Sequence, residues 1–149
     1  AKPAKLQLRC SMENFLKSLI MIDTPAIIQA KSVYAIFDAA KGDSHFGTPI
    51  GQACVDSLHN DYATLCRTVH GDPKVMQPTS ALSMLPQYDK VSQQEVSSIY
   101  VRTIDSCLGI LYLNFPAVVD QMHPDNKKDF LDCLAKATKG DVVNTLYDD

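Results

Sequence analysis

The chain contains no tryptophan, no Asn-x-Ser/Thr sequon and no glycine-rich loop. Each absence removes a class of function. Without Trp, no cavity can be lined by indole. The six glycines are scattered, and Gly42, Gly47 and Gly51 do not assemble a phosphate-cradling loop; residues 41–47 read as a polar helix–helix connection. No Gly-x-Ser-x-Gly elbow and no Cys–His pair with a local nucleophile signature is present. No basic stripe exists, and the net charge of -3 argues against a nucleic-acid partner. The longest apolar stretch is broken by charge or proline before the roughly 20 residues that span a bilayer. The expectation is therefore a non-enzymatic protein, with no catalytic residue, no cofactor and no metal.

What is present is an ordinary globular composition, 46% hydrophobic and 21% charged over 149 residues. That length suits one domain, residues 1–149, able to bury roughly 70% of its unfolded surface. Periodicity is helical and no segment alternates as a strand does. A first helix is predicted from Lys5 to Met21, with Leu8, Met12, Phe15, Leu16 and Leu19 on one face. Thr24-Pro25 resembles a cap followed by a first-turn proline, predicting a second helix to Lys41 with Ala30, Val33, Tyr34, Phe37 and Ala40 inward and Gly42 as its end. Thr48-Pro49 repeats the signal for a third helix to His70, whose stripe is Val55, Leu58, Tyr62, Leu65 and Val69.

Ser92-Gln93-Gln94-Glu95 fits a capping box for a fourth helix to Asn114, with Val96, Ile99, Tyr100, Ile104, Cys107, Leu108 and Leu111 as a wide apolar face. A short helix over 116–122 and a last one from Pro124, stopped by Gly140, complete the series; residues 141–149 add at most a terminal turn. The fold class is all-α: a disulfide-stapled bundle of four main helices plus two or three short ones.

Five cysteines, Cys10, Cys54, Cys66, Cys107 and Cys133, fall one or two to a helix. With an opening Ala1-Lys2-Pro3 and no apolar leader, they point to a mature secreted protein in an oxidising, extracellular compartment. Cys54 and Cys66 share one helix about 18 Å apart along its axis, beyond the roughly 7 Å Cα separation a disulfide allows. They lie at the two edges of the stripe, so each should point to a different neighbour, making the third helix central. The expected pairing is Cys10–Cys54, with Cys66 to Cys107 or Cys133, and Cys107 is the first choice for the buried odd thiol.

A metal site from Cys66, His70 and His59 fails because His59 lies about 10.5 Å along the axis from Cys66. Asp56, Asp61, Asp129 and Asp132 read as solvated faces. Met12, Met21, Met76, Met84 and Met122 read as core filler or as the lining of an apolar cavity. Residues 72–91 carry Pro73, Pro78 and Pro86 among apolar residues, and Met76, Leu82, Met84, Leu85 and Tyr88 are the candidate partner-binding loop. The function expected is a secreted binding protein acting on an extracellular protein partner, as an inhibitor or effector. The alternative is an extracellular carrier of a small hydrophobic ligand in the bundle core.

Overall fold

The computed structural model describes residues 2–69 and 90–147. Among these residues the chain is all-α, with seven α-helices, two 3-10 turns and no strand. The helices are α1 (Lys2–Ile20), α2 (Val33–Gly42), α3 (Pro49–Val69), α4 (Lys90–Asn114), α5 (Pro116–Asp120), α6 (Pro124–Asp132) and α7 (Lys136–Tyr147). The 3-10 turns are Pro25–Gln29 and Ser44–Phe46.

α3 is the hub, packing against α1, α2, α4 and α7. Its stripe behaves as its spacing dictates: Val55, Leu58, Tyr62 and Leu65 are all buried, and Thr48 Oγ1 accepts from the N–H of Gly51 at the N-terminus. α1 contributes Leu8, Met12, Leu16, Leu19 and Ile20, and α2 contributes Ile36, Phe37 and Ala40. Tyr34, expected inward, is 70% exposed.

The single helix expected from Pro25 to Lys41 is two elements. A 3-10 turn buries Ile27, the chain extends through Ala30 and Ser32, and α2 then starts at Val33. Thr24 makes no side-chain cap. Lys17 Nζ instead donates to the Ala30 carbonyl at 2.9 Å, which satisfies backbone freed by the break.

The last helix is also divided. α6 ends at Asp132, and α7 starts at Lys136 and runs through Gly140, where a stop was expected. The start is supplied by α4: Asp105 accepts from Ala135 N–H and from the Thr138 hydroxyl, both at 2.7 Å. A carboxylate at a helix N-terminus satisfies free N–H groups and complements the helix dipole. Burying Val142 then keeps α7 in register past the glycine.

α4 corrects two expectations. Its buried positions are Ile99, Thr103, Ser106, Gly109, Ile110 and Tyr112, a seam rich in small and hydroxyl residues. Tyr100 stands 55% exposed and Val96 is only partly buried. Close approach explains the choice of face. A Cβ at Gly109 would meet Thr138 of α7 at 3.0 Å and the Cys54 sulfur of α3 at 3.6 Å. In addition, α4 is long and apolar enough by length and composition to cross a membrane, although Arg102 and Asp105 interrupt its apolar stretch. Only 33% of that apolar window is buried inside the fold, so much of it faces outward.

Two polar pairs join α4 to its neighbours. Asp61, expected on a solvated face, is buried; Arg102 donates to it from Nε at 3.0 Å and from Nη2. Lys5 is buried on α1 and pairs with Glu95, the residue expected to close a capping box.

No disulfide forms: Cys10, Cys54, Cys66, Cys107 and Cys133 are all free thiols, so the bundle is not stapled. Helix register explains why the expected pairs fail. Arg9 meets Tyr62, so Cys10 is level with the middle of α3, about 12 Å along the axis from Cys54. Asp61 meets Arg102 and Cys54 meets Gly109, so α3 and α4 run antiparallel. That places Cys107 at the Cys54 end of α3, away from Cys66. Cys133, just ahead of the Asp105-capped start of α7, is at the same end.

Candidate functional site

Two concave surfaces and one polar cluster are candidates, and they occupy different faces. The first is an apolar groove of about 500 Å³ between α1 and α4. α1 lines it with Ala4, Gln7, Leu8 and Ser11, and α4 with Val96, Ser97, Tyr100 and Val101. The α1 positions recur at i, i+3, i+4 and i+7, the period of one helical face. No charged residue is among the eight. Val101 is 63% exposed, and Leu6 and Val91 on the same helices are also exposed.

The second is a recess of about 350 Å³ where α1, α2 and α3 meet, lined by Arg9, Val33, Tyr34, His59, Tyr62, Ala63, Cys66 and Arg67. Its walls are held by rings. The His59 ring stacks on Phe37 at 4.5 Å and 24°, and it meets Tyr34 edge-on. Arg9 sits 5.0 Å over the Tyr62 ring and donates from Nη2 to the Tyr62 hydroxyl at 2.9 Å. That hydroxyl donates in turn to Glu13. Burial, together with Glu13, pushes the Tyr62 phenol up to about 12, so it remains protonated across the physiological range. The hydrogen bond to Tyr62 raises the already high Arg9 value. Arg9 Nε is buried and finds no acceptor among the described residues.

The polar cluster comprises Asp23, Asp43 and His45, whose ligand atoms all lie within 4.8 Å of one another. His45 Nδ1 is 2.8 Å from Asp43 Oδ1 and 3.7 Å from Asp23 Oδ2. The Asp43 carboxylate also accepts the His45 backbone N–H, which caps the Ser44–Phe46 turn. These residue types can coordinate a divalent cation, but the Asp43–His45 contacts are accounted for by the turn itself.

Of the residues expected to carry function, Met76, Leu82, Met84, Leu85 and Tyr88 lie outside the described residues, as does His70. The cysteines divide by environment. Cys10 and Cys133 are exposed, Cys66 lines the recess, and Cys54 and Cys107 sit together at the α3–α4 contact. Cys54 also hydrogen-bonds Ser106. Sequence reasoning missed both concave sites. Arg9 and Arg67 are far apart in the chain, and Tyr100 and Val96 looked like core. The available signal was the excess width of the α4 apolar face: Tyr100 lies about 120° round the helix from Ser106 and about 180° from Gly109, so it cannot share their buried side.

Comparison with protein-family models, with curated proteins and with solved structures finds no match for this chain.

Proposed function

We propose that this protein is a non-enzymatic, extracellular binding protein that takes an amphipathic helix of a protein partner into the groove between α1 and α4. The observation that carries this reading is the groove itself: apolar, uncharged, and walled by two helical rows. A third helix fits between two such rows by ridge-into-groove packing. Ala4, Ser11 and Ser97 are small enough to allow close approach, while Leu8, Tyr100 and Val101 supply the apolar contact. A partner helix held there would be blocked from its other contacts, which is how an inhibitor or effector of this design works. With all five cysteines free in this fold, the cysteine content lends that extracellular setting no support, and it rests on the partner-binding reading alone.

The test uses wild-type protein and Val101→Glu as baits in extracellular fluid from the source. Val101 is exposed, so the substitution is expected to change stability by no more than about 0.5 kcal/mol. The expected result is one protein captured saturably by wild type and lost with Val101→Glu. Hydrogen exchange on the complex should show protection at residues 4–11 and 96–101. Equal capture by both baits, or no saturable partner, overturns the reading.

A small apolar ligand is the second reading, favoured by a groove volume within the range of ligand sites. It would sit in that groove between α1 and α4, beside the buried Leu8. Extraction of a stoichiometric lipid from the purified protein, reduced by Val101→Glu, would select it.

A further inference from the structure

Arg9 and Arg67 bring two guanidinium groups to the wall of one recess, on the opposite side of α1 from the groove. Neither has a carboxylate within ion-pair distance among the described residues. Arg9 donates to the Tyr62 hydroxyl, and Arg67 donates to Thr64 at 3.3 Å. Glu13, one turn along α1 from Arg9, accepts the same Tyr62 hydroxyl that Arg9 contacts and favours the charged Arg9 without a direct ion pair. Two guanidinium groups at one concavity make a locally positive wall in a chain of net charge -3, with Glu13 offsetting part of the Arg9 charge through the shared Tyr62 hydroxyl. Arg9 Nε is packed out of reach against the Tyr62 ring, so the Arg9 donors open to the recess are those of its terminal nitrogens. The rest of the lining is three rings, His59, Tyr34 and Tyr62, with Val33, Ala63 and Cys66 between them. The volume, about 350 Å³, is at the small end of ligand sites.

We propose that this recess binds a small aromatic carboxylate, with the anionic group between Arg9 and Arg67 and the ring against His59 and Tyr62. A planar guanidinium offers paired donors that match a carboxylate, and aromatic walls favour offset or edge contact with a ring. The proposal is independent of the groove and of any protein partner.

The probes are 2-naphthoate, the neutral 2-naphthalenemethanol, and inorganic phosphate, each titrated by calorimetry. One 2-naphthoate should bind per chain, at least about tenfold more tightly than either the uncharged or the ringless probe. Arg67→Gln changes an exposed side chain and keeps the fold, and it should weaken naphthoate about three- to tenfold. Arg9→Lys, which keeps charge but loses the planar fork, should weaken it by a similar factor. Val101→Glu, in the groove, should leave naphthoate binding unchanged. Peptide-resolved alkylation gives a second readout: bound naphthoate should slow the labelling of Cys66 and not that of the exposed Cys10. The proposal is overturned by equal binding of the neutral probe, by equal binding of phosphate, by unchanged affinity in Arg67→Gln and Arg9→Lys together, or by no binding of naphthoate at roughly millimolar concentration.

Discussion

Desolvation governs the two thiols at the α3–α4 contact. Burial pushes Cys54 up to about 11 and Cys107 up to about 12, from an ordinary value of 9.0. A thiolate is the reactive form, so these two are poor nucleophiles at neutral pH, whereas Cys10 and Cys133 are open to solvent. Alkylation of the native protein should label Cys10 and Cys133 first and Cys54 and Cys107 last. The same shifts make stability depend on pH. Below about 8 both thiols are protonated whether the chain is folded or unfolded, and they add no pH dependence. Above it the unfolded chain releases protons that the folded chain retains, so stability must fall as pH rises from about 9 towards about 11. Thermal melts across that window should show a declining midpoint, and Cys54→Ala should flatten the decline. A midpoint that rises with pH there, or an unchanged slope in Cys54→Ala, would contradict this assignment.

Helix ends differ in where their instructions come from. Pro49 begins α3 where local residues said it would, because Thr48 and a first-turn proline act within a few residues. α2 does end at Gly42, but with Asp43 turning to extended backbone and without the left-handed glycine that the sequence suggested. The break between α6 and α7 has no such local mark. Its cap is Asp105, 30 residues away on α4, so no window over 124–149 contains the signal. Gly140 reads locally as a stop, yet it only weakens a helix that Asp105 and the buried Val142 hold in place. Asp105→Ala should therefore cost about 0.5–2 kcal/mol, the usual range for a lost cap. The loss should appear as faster hydrogen exchange in the first turn of α7, with α3 unaffected. Asp105→Asn, which keeps an acceptor oxygen, should lose less. The burial face of α4 was illegible for a related reason. Hydrophobicity alone points to Val96 and Tyr100, but steric access points to Gly109 and Ser106, and in a helix packed against α1, α3, α5 and α7 access wins.

The molecule has two buried clusters, and their sizes set its order of unfolding. The larger joins α1, α2, α3 and α4 as far as Ile110 around Met12, Phe37, Leu58 and Ile99. The smaller comprises Tyr112, Val119, Leu134 and Val142 at the far end of α4, with α5, α6 and α7 around it. Ile50 at the start of α3 packs against both. The larger cluster was largely legible, because it rests on clean stripes in α1 and α3. The smaller was only partly so, because Phe130, Leu131 and Leu134 were assigned to one helix whereas they straddle the end of α6. The candidate sites were the least legible, since the recess draws Arg9, Tyr34 and Arg67 from three helices and none stands out by spacing. With four fully buried residues the smaller cluster has little apolar area to hold it, and local opening follows buried contact. Amides of α5–α7 should therefore exchange through a partial opening at lower free energy than those of α3. Leu58→Ala, at a fully buried position, should cost about 2–5 kcal/mol and speed exchange throughout. Leu134→Ala should speed exchange in α5–α7 while leaving α3 protection tied to global unfolding. If both variants instead raise exchange uniformly, the two clusters form a single cooperative unit, with Ile50 as the coupling point to test next by Ile50→Ala.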